Sequence, residues 1–571
     1  MQALQSPEPR TVPALAATID RVKGASTRFA RLGILDRIQL LRQMRQGYRA
    51  IAEESVLAAC RAKGIDPDRS IAGEEWLSGP WIVIRNLRLL EAALQDVQQE
   101  GTPRIPRSWM KSLPDGRLAI NVFPASALDS ILLPKYSVEV HLQAGITEKN
   151  LRQHQASFYR TPHSGKLCVV LGAGNVNAIP PTDCAYKMFV EGKVCILKMN
   201  PVNAYLGPLL ERAFSPAIEK GYLAIVYGGA DEGSYLVNHP AVDEIHITGS
   251  DKTHDLLVWG AAGPERDARK RRGEPLLKKE ITSELGNISP VIIVPGPYRQ
   301  DELWFQARDI AGMVCNNASF NCNSAKLLVT ARNWNQRAPI LELIEKGLAR
   351  GSVRKAYYPG ALERWTQFTA GRKDVRTIGT AGAGELSYAL IPDVDSSRTQ
   401  DPIFNQEPWC TILSETALAT EDPVSFLEDA VAFLNEHVWG TLCATLIVHP
   451  QSLRDPRINA AVEKAIRDLR YGTVALNAWP AAVFALGSPP WGGHPSDTLG
   501  DIQSGRGWVH NTLMLEEIEK CVLRAPLKGF PVAPWFPGHR SLPQLVRRLV
   551  DFEMAPSWLK VPAIAIAALR A

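Results

Sequence analysis

Two side chains in the stretch 281–326 could carry out covalent chemistry. The stretch reads ITSELGNISPVIIVPGPYRQDELWFQARDIAGMVCNNASFNCNSAK. It holds a carboxylate, Glu284, in a Ser-Glu-Leu-Gly-Asn sequence that reads as a tight turn. Cys322 follows 38 residues later in an Asn/Ser-rich loop. An ionised thiol is a strong nucleophile and a carboxylate can serve as its base, provided the fold brings the two together. Cys315 is the competing nucleophile, but it falls on the helix that precedes the loop.

The elements that must position this pair follow from periodicity. The β-branched run 291–294 reads as a buried strand. Trp304, Ala307, Ile310 and Val314 share one face of a helix. Upstream, from residue 166, strands and helices alternate: KLCVVLG, TDCAYKMFVEGK, VCILKMN, AYLGPLLERAFSPAIEKG, LAIVYGG, EGSYLVNHP, EIHITGS. Repeated βαβ units of this length predict a parallel, doubly wound sheet. The Lys/Arg-rich segment 264–280 reads as a solvated surface loop. Residues 327–510 again mix strands and helices, as a second α/β domain.

The first strand runs into Leu171-Gly172-Ala173-Gly174-Asn175-Val176-Asn177. This opens like a GxGxxG dinucleotide loop, yet Asn177 holds the sixth position. The next strand ends in Lys198, where that fingerprint requires an acidic residue for a ribose hydroxyl. An ordinary fingerprint is therefore not matched. A Lys at a strand's carboxyl end still stands at the crevice where such sheets bind ligands.

The chain divides into 1–115, mostly helical (Ile34, Ile38, Leu41 and Met44 at helical spacing); 116–146, extended; 147–283, the dinucleotide-binding candidate; 284–510, the catalytic candidate; 511–527; and 528–571, a C-terminal extension. Val138, Val140 and Leu142 alternate as in a half-exposed strand. Leu545, Leu549 and Phe552 fall on one helix face, which predicts that the extension packs on the body or across an interface.

At 571 residues the chain is too long for one core. Apolar content of 45% and charged content of 22% are those of a soluble globular protein. A net charge of +5, without a strong basic run, gives nucleic-acid binding little support. Nine scattered cysteines without a CxxC pair indicate neither a zinc site nor a disulfide framework, and fit a reducing cytoplasm. No apolar stretch of 18 residues occurs, so no spanning helix is expected.

In its motifs and their order, the segment 150–525 resembles the aldehyde dehydrogenase superfamily. The resemblance rests on Asn175 after the first strand, Lys198 after the second, and Gly228-Gly229 after the third. It rests further on Thr248-Gly249-Ser250, Glu284-Leu285-Gly286-Asn287, Cys322 and Glu407-Pro408-Trp409. It implies a parallel-sheet cofactor domain, an α/β catalytic domain and a strand arm for oligomerisation. It implies Cys322 as nucleophile, Glu284 as general base and Asn175 as oxyanion donor. Lys198, Gly229, Gly249, Ser250, Leu285, Glu407 and Trp409 are the implied contacts to NAD or NADP. The implied reaction is oxidation of a small-molecule aldehyde to a carboxylic acid through a thiohemiacetal and a thioester. An acylating enzyme with a thiol acceptor and a non-catalytic scaffold remain open alternatives. The arm 116–146, paired with 511–527, implies docking on a neighbouring subunit in a homodimer or homotetramer.

Four positions depart from the superfamily pattern. Ser319-Phe320 replaces a Gly-Gln pair before the cysteine. The basic residue after it, Lys326, comes one position early. His254 stands where a second glycine is usual. Pro201 stands three residues after Lys198, where a Glu would repel a 2′-phosphate, so NADP stays open beside NAD.

Overall fold

The computed structural model describes residues 8–570. Five parallel strands form the first sheet, in the order Leu223–Val226, Val194–Lys198, Leu167–Leu171, Glu244–Gly249, Glu280–Leu285. The first three are mainly apolar runs buried on both faces, as a sheet covered by helices on both sides requires, while Glu244–Gly249 and Glu280–Leu285 mix apolar and polar residues. Strand order reverses around Leu167–Leu171, so a crevice opens at the carboxyl ends beside it. The helix Ile179–Phe189 leaves that crevice with Pro180 and Pro181 in its first turn, where a missing N–H costs nothing.

The second sheet has eleven strands. Its parallel centre runs Ile518–Arg524, Thr473–Leu476, Cys443–Ile447, Pro290–Ile293, Leu327–Ala331, Ile412–Leu418, Tyr388–Ile391. Arg376–Ile378 closes one side antiparallel. Met110–Ser112, Leu118–Phe123 and Ser137–Leu142 extend the other side as an antiparallel ribbon. The expected arm pairing is thus present, Ser137–Leu142 against Ile518–Arg524. Ile518–Arg524 also pairs with Thr473–Leu476 of the same chain, so the ribbon is joined to its own catalytic sheet. The edge left open is Met110–Ser112, only three residues long.

Three long helices, Val12–Ala30, Ile34–Lys63 and Ile82–Glu100, make up most of the N-terminal part and share the core of the five-stranded sheet. The extension contributes Leu542–Met554 and Val561–Leu569. Its first helix meets the body through Leu542, Val546 and Val550, one position off the expected stripe. Leu545 and Phe552 of that stripe pack instead on Ile564 and Ala567 of the second helix. Glu553 seals the junction, with Oε1 accepting from Arg85 at 2.7 Å and Oε2 from Arg88 at 2.7 Å.

Two further expectations are corrected. The segment 264–280 is not a loop throughout. Pro264–Arg272 is a helix with acids in its first turn, bases in its last, and Gly273 as a left-handed cap. It buries no residue, so no apolar stripe marks it. Glu284 is not in a turn: it is the penultimate residue of Glu280–Leu285, and the expected boundary at 283/284 falls inside that strand. Among the described residues no helix is long and apolar enough to cross a membrane.

Candidate active site

A cavity of about 940 Å³ lies between the carboxyl ends of the five-stranded sheet and the catalytic unit. Lys198, Gly229, Gly249, Ser250, Leu285, Glu407 and Trp409 all line it. A second cavity, of about 200 Å³, opens between the catalytic unit, the N-terminal helices and the extension. Asn175, Ile179, Glu284 and Cys322 line both, so the two spaces meet at these four residues.

Cys322 is the one cysteine of nine that is not fully buried; Cys315 is buried against Tyr388. The Cys322 thiol and the Glu284 carboxyl line the same junction, near enough for each to shift the other's ionisation. Desolvation, followed by the charge of Glu284, pushes the thiol well above its usual range. Burial likewise raises Glu284 to about 8, with Cys322 and Trp491 opposing. Trp491 Nε1 donates to Glu284 Oε1 at 3.4 Å. A desolvated thiol beside a desolvated carboxyl is a pair that passes one proton between them.

The loop before Cys322 is held in an unusual shape. Asn317, Ala318 and Ser319 have φ of 50°, 53° and 65° in succession. Each left-handed non-glycine residue costs about 1–3 kcal/mol and persists only where its surroundings over-determine it. Here the Asn317 side chain donates to Asn175 O, Phe320 O and Asn321 Oδ1, and Ser319 Oγ donates to Val314 O. Asn175 is fixed by the same network. Its carbonyl accepts from Lys63 Nζ at 3.2 Å, Asn317 Nδ2 at 3.0 Å and Tyr357 Oη at 3.3 Å. Its own Nδ2 donates to Phe320 O at 2.9 Å. Lys63 is in turn held by both oxygens of Glu75, at 2.9 and 3.0 Å.

On the cofactor side, Lys198 ends its strand 8% exposed, and its ammonium has no partner among the described residues. Burial lowers its pKa, with Glu232 opposing. A methyl group added at Gly229 would meet nothing nearer than Glu232 Oε2 at 3.9 Å, so protein packing does not demand glycine there. Ser250 caps the helix Asp251–Trp259. Trp409 sits at φ 46° and its buried Nε1 meets no acceptor among the described residues. Glu407 is tied by Lys326, whose Nζ lies 2.8 Å from its Oε1. Lys326 also donates to Asn321 O and Cys322 O, at 3.0 and 3.4 Å, and so bridges the nucleophile loop to the cofactor side. Gly286 is required for the close approach of Glu407: a Cβ there would stand 2.0 Å from Glu407 Oε2.

Sequence reasoning misses Trp491 and the Lys63–Glu75–Asn317–Tyr357 network. These residues meet the site only through long-range contacts, Trp491 from 207 residues beyond Glu284. Only Asn317, close to Cys322 in sequence, carries a local signal.

Residues 136–338 match the model of the aldehyde dehydrogenase family. That segment is similar to the aldehyde dehydrogenase family. Among curated members of the superfamily, the chain is 23% identical to an aminoaldehyde dehydrogenase of Solanum lycopersicum over 55% of this chain and 57% of the relative. It is 24% identical to the chloroplastic betaine aldehyde dehydrogenase of Beta vulgaris, over 63% and 65%. The chain thus spans less than two thirds of the length of these relatives. Solved superfamily structures share the fold. A salicylaldehyde dehydrogenase from Pseudomonas putida G7, complexed with salicylaldehyde, matches with a TM-score of 0.60 at 15% identity, over 92% of this chain and 93% of that one. An NADP-dependent glyceraldehyde-3-phosphate dehydrogenase from Bacillus halodurans C-125, complexed with NADP, matches with a TM-score of 0.59 at 15% identity, over 91% and 92%.

Proposed function

We propose that this chain oxidises an aldehyde to a carboxylic acid with NAD or NADP. One observation carries the reading: the least buried cysteine, Cys322, lines both cavities together with the Glu284 carboxyl at the point where they meet. The larger cavity fits a dinucleotide in size and in its unpaired groups, the Lys198 ammonium and the Trp409 indole N–H. Lys198, Gly229, Gly249, Ser250, Leu285, Glu407 and Trp409 would hold it. When bound, the nicotinamide supplies the acceptor for the electron pair and hydrogen that leave the substrate carbon.

Glu284 takes the thiol proton as Cys322 Sγ bonds to the aldehyde carbon, giving a thiohemiacetal. Asn175 has a second amide hydrogen beyond the one given to Phe320 O, and it offers this to the developing alkoxide together with the Cys322 backbone N–H. Loss of the carbon-bound hydrogen with its electron pair leaves a thioester on Cys322. Glu284 releases the thiol proton to solvent and then takes one from water, whose oxygen attacks the thioester carbon; this second proton passes to the departing Cys322 sulfur. The acid leaves and the thiol is restored.

A homodimer or homotetramer would form by exchange of the Ile518–Arg524 pairing between copies. Nine free cysteines support a reducing, cytoplasmic setting. The test is cofactor reduction over an aldehyde panel, without added thiol, for the wild type and Cys322→Ser. The expected result is free acid with the wild type and no turnover with the variant. Product that appears only as a thioester with an added thiol would replace hydrolysis with acylation. Undiminished turnover in Cys322→Ser would remove the nucleophile.

A further inference from the structure

We propose that the substrate is an uncharged, apolar aldehyde whose carbon skeleton fills the smaller cavity, and that the C-terminal extension forms its far wall. This rests on the reading of Cys322 as nucleophile.

The cavity runs from Cys322 between Ile179, Trp81, Trp479 and Trp535 to Leu549 and Ile564 of the extension. Trp479 and Trp535 commit their N–H groups to Asn323 O at 2.7 Å and Asp309 Oδ1 at 2.6 Å. Their rings are left to the cavity. Trp81 Nε1 and Asn323 Oδ1 are unpartnered among the described residues, so the wall tolerates a single hydroxyl or ether oxygen. It offers no countercharge. Beyond Glu284, the charged lining residues are Glu74, Arg85 and Asp129. Glu74 is paired with Arg354 at 2.6 Å, and Arg85 with Glu553 at 2.7 Å and Asp129 at 3.2 Å. A cationic substrate would meet aromatic faces, which attract cations. It would also meet the Arg85 guanidinium, with no free carboxylate in reach except the base itself. An anionic one would find Arg85 already neutralised. Burying an uncompensated charge is costly, while burying each methylene is favourable by roughly 0.8 kcal/mol.

The extension belongs to this site by contact. Glu553 clamps Leu542–Met554 onto Arg85 and Arg88, and that helix carries Leu549 into the lining. Neither Leu549 nor Ile564 touches the catalytic groups, so each can be changed without altering the chemistry.

The experiment compares kcat/KM for straight-chain aldehydes of increasing length. It also compares betaine aldehyde with tert-butylacetaldehyde, the isostere in which carbon replaces the ammonium nitrogen. The uncharged isostere is expected to be preferred by about a hundredfold or more, as the cost of an unpaired buried charge implies. Leu549→Trp is expected to move the length optimum to shorter chains, and Ile564→Ala to longer or bulkier ones. Preference for betaine aldehyde, or a length optimum unmoved in both variants, would overturn the inference while leaving aldehyde oxidation intact. If no aldehyde is turned over, tryptophan fluorescence still reads the cavity. Quenching by the uncharged carbon analogue of choline but not by choline upholds the apolar site, and the reverse order rejects it.

Discussion

The Cys322–Glu284 pair shares too few solvating partners for both groups to ionise easily. Glu284, raised to about 8, is mostly a neutral carboxyl below that pH and a carboxylate above it. The base form is the active one in thioester hydrolysis. Deacylation should therefore accelerate as pH rises through about 8 and level off beyond it, a profile absent from Glu284→Gln. The same carboxylate is the main charge that holds the thiol pKa up. Glu284→Gln should thus react faster with iodoacetamide well above pH 8, about tenfold for each unit by which the thiol pKa falls, while steady-state turnover falls. An unchanged rate would show that the two groups do not interact, and a slower one that the carboxylate assists ionisation of the thiol instead of opposing it. Gly286→Ala tests the cofactor side. Its Cβ would overlap Glu407, so KM for the dinucleotide should rise with the rate of Cys322 alkylation unchanged. An unaltered KM would separate Glu407 from the cofactor. Cys322, Glu284 and Lys198 are legible in the sequence because each stands at a fixed offset from a short, strongly patterned element. Lys63 and Trp491 are not, because nothing local distinguishes them from a surface lysine or a core tryptophan.

At the scale of elements, burial pattern decides what the sequence shows. Val194–Lys198 and Leu167–Leu171 are legible as continuous apolar runs. Pro264–Arg272 is not, since its stability comes from caps and a Glu265–Arg269 pair rather than from a buried face. The helix Leu542–Met554 is legible as amphipathic, but it buries two faces: one on the body, one on its partner helix. A single stripe cannot specify which is which. The clamp between Arg85, Arg88 and Glu553 does specify it, and it is invisible before the fold joins residues more than 460 positions apart. Breaking one partner of such a buried pair costs about 3–5 kcal/mol. Glu553→Gln should lower the thermal midpoint of the holoenzyme and weaken discrimination by aldehyde length. An unchanged midpoint would show that the clamp does not anchor the extension.

Across the whole molecule, both cavities are lined by one chain, and the strand ribbon is paired to its own catalytic sheet. An exchanged ribbon would make the same hydrogen bonds between two copies, so the site is complete in either arrangement. Specific activity should then be constant from nanomolar to micromolar chain. Loss on dilution would mean that a second copy completes the site. The central claim is that the cofactor cavity and the apolar cavity meet at Cys322. Its most direct test is intact and peptide mass spectrometry of Glu284→Gln, quenched during reaction with a long apolar aldehyde. The account predicts an acyl thioester on the Cys322 peptide that accumulates only when NAD or NADP is present, at one equivalent per chain reduced. Cofactor reduction with no adduct, or an adduct on any other residue, would contradict it.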